Sequence, residues 1–259
     1  MIYKCSSIHS EAVIGKNVTI SAFTVVDKNV VIGDGCYIYP HAVILEGARI
    51  GKNCRIFPGA VISGIPQDLK FEGEETVCEI GDDTTIRECA TVNRGTAAKG
   101  KTIVGNNCLL MAYSHVAHDC ILKDHVILGN ATQLAGEVEV DDYAILSGGT
   151  LVHQFCRIGK HSMLQGGSRT PKDIPPYIIA GREPLTFSGV NIVGLRRRNF
   201  TIEQISGIQE IYRILYQSGM NNSDAVKYIK DNLPDSPEKE EIIGFIAGSP
   251  RGIIRGYLE

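Results

Sequence analysis

The chain has 259 residues, 43% of them hydrophobic and 21% charged, with a formal net charge of −3. That is enough for one large domain, or a large domain with a small appendage, and the near balance of charge argues against a nucleic-acid partner, so any basic site must be local. The N-terminus MIYKCSSIHS has no apolar stretch of signal-peptide type, and no segment reaches the roughly 18 uninterrupted apolar residues of a membrane span. A soluble cytoplasmic protein without an integral membrane segment is expected.

From Ile8 onward every sixth residue is aliphatic: Ile8, Ile14, Ile20, Val26, Ile32, Ile38, Ile44, Ile50, Ile56 and Ile62. The same phase returns at Ile80, Ile86 and Val92, and then runs without a break from Val104 to Leu164. The residue four places after each aliphatic is small, as at Val18, Thr24, Val30 and Ala42. Of the eight cysteines, Cys36, Cys54, Cys108, Cys120 and Cys156 occupy this slot. With no CxxC pair anywhere, they read as reduced, buried packing residues and carry no chemistry.

A six-residue period fits neither a helix nor a simple two-faced strand, but it suits a short strand and a sharp turn repeated around a solenoid. The pairs Ile14-Gly15, Ile32-Gly33 and Ile50-Gly51 recur every 18 residues, so three hexads make one triangular coil. Residues 18 apart should stack about 4.8 Å from one another. About eight coils follow, each burying its aliphatic residues against its neighbours.

Two stretches, Ser63 to Glu79 and Asn93 to Ile103, leave the rhythm and return in phase, which predicts loops projecting from the solenoid. The segment MAYSHVAHDC, Met111 to Cys120, places His115, His118 and Asp119 in an otherwise aliphatic pattern. A lone solenoid histidine is usually a surface residue. Two histidines and an aspartate within five residues point instead to a base tuned or oriented by a carboxylate. Gly136 lies 18 residues after His118, one coil away, where a backbone N–H is accessible. A base beside an amide donor is what acyl transfer requires.

After Leu164 the period stops, and PKDIPPYIIAGREP is proline-punctuated and non-helical. Arg196, Arg197 and Arg198 then form a cationic triplet, either solvated or anion-binding. Thr201 to Gln204 reads as a capping box, and Ile205, Ile208, Ile211, Ile214 and Leu215 form the apolar stripe of a helix reaching Gly219. Shorter helices start near Ser223 and near Ser236-Pro237. The division is 1–189 solenoid and 190–259 helical domain.

The segments HVAHDC, GNATQLAG (Gly129 to Gly136), VHQFC (Val152 to Cys156), GVNIVGLRRR (Gly189 to Arg198) and QDLK (Gln67 to Lys70) resemble the UDP-N-acetylglucosamine O-acyltransferases of lipid A biosynthesis, within the hexapeptide-repeat acyltransferases. The resemblance implies a left-handed parallel β-helix with a C-terminal α-helical domain, assembled as a homotrimer. It implies that His118 is the general base on the glucosamine 3-hydroxyl, that Asp119 supports it, and that Gly136 donates to the oxyanion. Asp68 and Lys70 would hold the sugar, and His115 and His153 would line the cleft between subunits. Gln154 would lie at the nucleotide, and Asn191, Arg197 and Arg198 would contact phosphates or carrier. Gly166 matches the position that limits acyl length. The implied donor is an (R)-3-hydroxyacyl chain on the phosphopantetheine of acyl carrier protein, with no metal and no further cofactor.

Three positions depart from the family pattern: Asn93 and Glu137 stand where histidine is common, and Val193 replaces an acidic residue. Two other activities share the scaffold. One is acetyl-CoA-dependent acetylation of a small sugar or amine. The other is a zinc enzyme with His115 and His118 as ligands across a trimer interface. The related glucosamine N-acyltransferases carry an N-terminal uridine-binding domain, for which hexads beginning at Ile8 leave no room.

Overall fold

The computed structural model describes residues 1–256. The described residues form three sheets of nine, eight and ten strands. Face 1 runs from strand Ser7–Ile8 to Arg169–Thr170, face 2 from Val13–Ile14 to Arg157–Ile158, and face 3 from Thr19–Ile20 to Thr186–Val190. The chain visits the faces in that order once per coil, and the result is a left-handed parallel β-helix. Most strands have two residues. The first points outward and the second inward, so Val25 is exposed and Val26 buried.

The corners explain the rest of the hexad. The third residue after most of the aliphatics lies in the left-handed region, as at Asn17, Asn29, Asn53 and Asn107 with φ of 57, 51, 55 and 54°, where asparagine is tolerated best after glycine. The fourth residue is enclosed and, where its side chain carries a donor, caps a neighbouring turn. Thr24 Oγ1 donates to Tyr39 O at 3.1 Å, Cys36 Sγ to Gly51 O at 3.0 Å and Cys120 Sγ to Ala135 O at 3.1 Å. Cysteine therefore serves as a small residue with a weak donor. Six cysteines are buried, because Cys78 joins the five expected ones, while Cys5 and Cys89 are exposed. Burial pushes the Cys120 thiol up to about 12 and that of Cys108 to about 11, so neither is a thiolate nucleophile near neutral pH.

Coil length varies where the loops leave. Lys16 meets Asp34 18 residues on, Lys52 meets Asp82 30 residues on, and Thr84 meets Cys108 24 residues on. The first loop occupies only the interval between strands Val61–Gly64 and Val77–Ile80, and the second that between Thr91–Asn93 and Lys101–Val104. Both are shorter than the pattern break suggests, because strand residues flank each loop.

The solenoid extends beyond the run from Ile8 to Leu164 at both ends. Ile2 bridges to Ile20, Arg169–Thr170 pairs in parallel with Leu151–Val152, and Ile178–Gly181 stacks on Met163–Leu164. Thr170 fills an inward slot at 2% exposure with its hydroxyl donated to Lys172 O at 2.6 Å, and a polar residue there ends the legible period. A final antiparallel strand, Thr186–Val190, closes the stack. Four helices follow: α1 Ile192–Arg197, α2 Ile202–Gln217, α3 Asn222–Asn232 and α4 Pro237–Ala247. Helix α2 starts at the expected capping box of Thr201 and Gln204, and α4 has Ser236 as N-cap with proline in its first turn. The short α1 was not expected. Tyr212 of α2 donates to Pro176 O at 2.6 Å, and Arg157 of face 2 donates to Gly248 O at 2.7 Å beyond α4, which fixes the helices on the solenoid. No helix among the described residues is long and apolar enough to cross a membrane.

Candidate active site

His118 and Asp119 occupy the corner between faces 1 and 2, immediately after strand His115–Val116. Asp119 takes the left-handed corner position with φ 60° and is completely buried. Its backbone N–H donates to Thr102 Oγ1 at 2.8 Å. Its carboxylate receives the Thr96 N–H at 2.9 Å on Oδ1 and the Thr96 hydroxyl at 2.6 Å on Oδ2. The same Oδ2 lies 2.8 Å from His118 Nδ1. An ionised carboxylate only accepts, so Nδ1 carries the ring proton and Nε2 presents its lone pair.

That lone pair points away from Asp119, toward the first loop. Asp68 Oδ2, on the first loop, lies 3.9 Å from Nε2. The imidazole rests on Gly136 of the next coil: a Cβ there would come within 2.6 Å of both Cε1 and Nε2. In that turn Ala135 N donates to Val152 O at 3.1 Å and Glu137 N to His118 O at 3.0 Å, and no described group accepts the Gly136 N–H between them. A base with a free lone pair thus sits beside an unengaged backbone donor, the pairing expected from their separation along the chain. The arrangement can remove a proton from a hydroxyl and stabilise an oxyanion.

His115 lies one strand position away on face 1, paired across with Thr91 and Gln133. Its Nδ1 is 2.7 Å from Thr91 Oγ1. Burial first, and then the neighbouring His118, hold its pKa below the usual histidine range. Lys70 is exposed, and its backbone N–H donates to Asp68 Oδ1 at 3.0 Å. Asn93, at the end of strand Thr91–Asn93, holds the start of the first loop through Nδ2 to Ile65 O at 2.6 Å.

The remaining expected residues stand elsewhere on the prism. Gln154 occupies the coil beyond Gly136 at the same corner, where Phe155 N donates to Gly136 O at 3.2 Å. His153, with Nδ1 3.2 Å from Arg251 Nη2, lines a cavity of about 640 Å³ shared with Leu151, Thr170, Pro184 and Ile254. Gly166 is exposed at the corner between faces 3 and 1. Arg197 is exposed at the end of α1. Arg198 lies over the Tyr143 ring at 4.8 Å and donates to Gly194 O at 3.2 Å, which places it at the third corner, between faces 2 and 3. One chain therefore does not bring Gly166, Arg197 or Arg198 to His118.

Asn191 belongs to the cap of α1. It is 3% exposed, donates to His161 O at 2.9 Å and accepts from Gly194 N at 3.1 Å as the N-cap of α1. Both ends of its amide are engaged inside the chain, where it positions α1. Conversely, Thr96 and Thr102 hold Asp119 yet carry no signal in the sequence, because Thr96 lies in an off-period loop. No group of three or more His, Cys, Asp or Glu among the described residues is placed to hold a metal ion.

Comparison with known proteins agrees with this geometry. The model described as bacterial transferase hexapeptide (six repeats) matches residues 29–64 and 101–136, and that described as UDP-N-acetylglucosamine O-acyltransferase, domain 2, matches residues 173–254. The acyl-[acyl-carrier-protein]–UDP-N-acetylglucosamine O-acyltransferase of Aliarcobacter butzleri is 44% identical over 97% of each chain. The crystal structure of LpxA, a UDP-N-acetylglucosamine acyltransferase, from Bacteroides fragilis superposes with a TM-score of 0.97 at 58% identity, covering 98% of this chain and 100% of that one. The Francisella novicida UDP-N-acetylglucosamine acyltransferase gives a TM-score of 0.96 at 41% identity, covering 98% of this chain and 94% of its own. By fold, sequence and the histidine, aspartate and glycine that its coils bring together, the chain belongs to the UDP-N-acetylglucosamine O-acyltransferase family.

Proposed function

We propose that this chain transfers an (R)-3-hydroxyacyl group from acyl carrier protein to the 3-hydroxyl of UDP-N-acetylglucosamine, the first step of lipid A biosynthesis. The observation that carries the reading is the His118 ring, fixed by Asp119 at 2.8 Å and resting on Gly136, in a member of a family whose relatives are named for this reaction.

In the reaction, Nε2 of His118 takes the proton of the sugar hydroxyl as its oxygen attacks the thioester carbonyl. The Gly136 N–H donates to the oxyanion that forms. Collapse breaks the C–S bond, and the proton on His118 passes to the departing phosphopantetheine thiolate. The products are the O-acylated sugar nucleotide and a free thiol on the carrier. No covalent enzyme intermediate, metal or further cofactor enters these steps. Asp68, 3.9 Å from Nε2, stands where it can accept from the sugar, and Lys70 on the same loop, His115 and His153 at face 1 and Gln154 at its corner extend the site. Arg197 and Arg198 offer cationic groups for phosphates.

A homotrimer is part of this proposal. Gly166 and the arginines occupy corners other than that of His118, so a site containing all of them draws on neighbouring copies. On the outside of face 3, Leu109, Ile127, Ile145 and Met163 stack in register, an apolar ladder suited to a partner copy. A reducing compartment, the cytoplasm, fits eight cysteines that are all free.

The test offers 3-hydroxyacyl-acyl carrier protein and acetyl-CoA in competition, with UDP-N-acetylglucosamine as acceptor, in the presence and absence of chelator. Carrier-dependent product unaffected by chelation supports the proposal. Turnover of acetyl-CoA alone, or loss of activity with chelator, would overturn it.

A further inference from the structure

The carboxylate that orients His118 is itself held by one residue of the second loop. Thr96 is 6% exposed and grips Asp119 twice, through its N–H to Oδ1 at 2.9 Å and its hydroxyl to Oδ2 at 2.6 Å. Oδ2 therefore has two partners, the Thr96 hydroxyl and His118 Nδ1. This fixes the plane of the carboxylate and with it the rotation of the imidazole. The loop has its own anchors: Gly100 N donates to Thr96 O at 2.7 Å, Thr76 Oγ1 to Gly95 O at 2.6 Å, and Ala97 N to Glu74 Oε1 at 2.9 Å. The last two bonds come from the first loop, the loop that carries Asp68 toward the opposite nitrogen of the same ring.

We propose that Thr96 is a positioning residue of the acyl transfer, the outer member of a Thr96–Asp119–His118 chain that fixes the tautomer and angle of the base. The role rests on the acyl-transfer reading for its kinetic consequence, but the geometry of the chain does not depend on which substrate is bound. Donors to an ionised carboxylate are worth a factor of about ten or more when removed, and a base displaced from its productive angle loses rate and not affinity.

Thr96→Val keeps the shape and the backbone N–H but removes the hydroxyl. It should lower kcat about tenfold with the KM for the nucleotide sugar within about twofold, and Thr96→Ser should restore most of the loss. In an Asp119→Asn background Thr96→Val should have little further effect, because its action passes through the carboxylate. The ¹⁵N spectrum of the His118 ring, taken without substrate, should show protonated Nδ1 in the wild type and a mixed or shifted signal in Thr96→Val. If Thr96→Val does not fold, Thr96→Ala is read in the same way. An unchanged kcat, an equal loss in both backgrounds, or an unaltered ring spectrum would overturn the role. If the wild type transfers no acyl group, the activity reading fails separately, and the ring spectrum alone decides the positioning.

Discussion

Gly136→Ala gives the sharpest test of the contact between coils. The added methyl would lie 2.6 Å from Cε1 and Nε2 of His118, against the 3.4 Å at which ordinary contact begins. The glycine backbone is not in the left-handed region, so alanine imposes no conformational penalty and its effect comes from that collision. The ring must retreat by about 0.8 Å, and a misplacement of this order in a reacting group costs about 100-fold in rate. Because Gly136 and His118 are both buried and belong to adjacent coils, relieving the clash should also cost about 1–3 kcal/mol of stability, a fall of several degrees in melting temperature. Steady-state acyl transfer with saturating acceptor measures the loss. A kcat within threefold of wild type, with the alanine confirmed, would mean that the ring does not act from the position described here.

Three further outcomes follow from the same architecture. Leu122→Ala removes a side chain buried at 0% exposure between adjacent coils and should destabilise the protein by about 2–5 kcal/mol in a denaturant titration, leaving the kcat of the folded fraction unchanged. His161 is held neutral by burial, and next by Arg198 and Lys160, with its pKa lowered to about 4. The unfolded chain binds a proton there near pH 6.5 that the native state refuses, so this contribution to stability is full above about 6.5 and lost as pH falls toward 4. His161→Phe should flatten that part of the stability profile. A thiol reagent should titrate at most the two exposed cysteines, Cys5 and Cys89, in the native protein, and all eight after denaturation. Rapid reaction of more than two would contradict the solenoid packing.

The solenoid was legible because each hexad states its own burial: an inward aliphatic such as Ile56, an enclosed small residue such as Cys54 and a corner residue such as Asn53 recur locally, so no long-range contact had to be guessed. The same periodicity carried His118 to Gly136, since no loop intervenes between them. It failed where chemistry and position part. Thr170 keeps an inward place without an aliphatic side chain, and the six-residue α1 is too short to show a stripe. The grip of Thr96 on Asp119 depends on how an irregular loop folds back, which no period projects. Asn191 entered through the resemblance of GVNIVGLRRR alone, and that its amide caps α1 and donates to His161 O follows from the packing of α1, which no motif states. That Gly166 and Arg198 lie on different corners from His118 became visible only once the faces were assigned.

The central claim is that His118 is the base. The most direct measurement is acyl transfer by His118→Ala, compared with wild type at the same oligomeric state by sedimentation. Because a general base supplies about 10²–10⁴ of the rate, kcat should fall by at least about 100-fold, with the mass and melting temperature of the wild type. Near-wild-type turnover by that variant would contradict the assignment and leave only the fold standing.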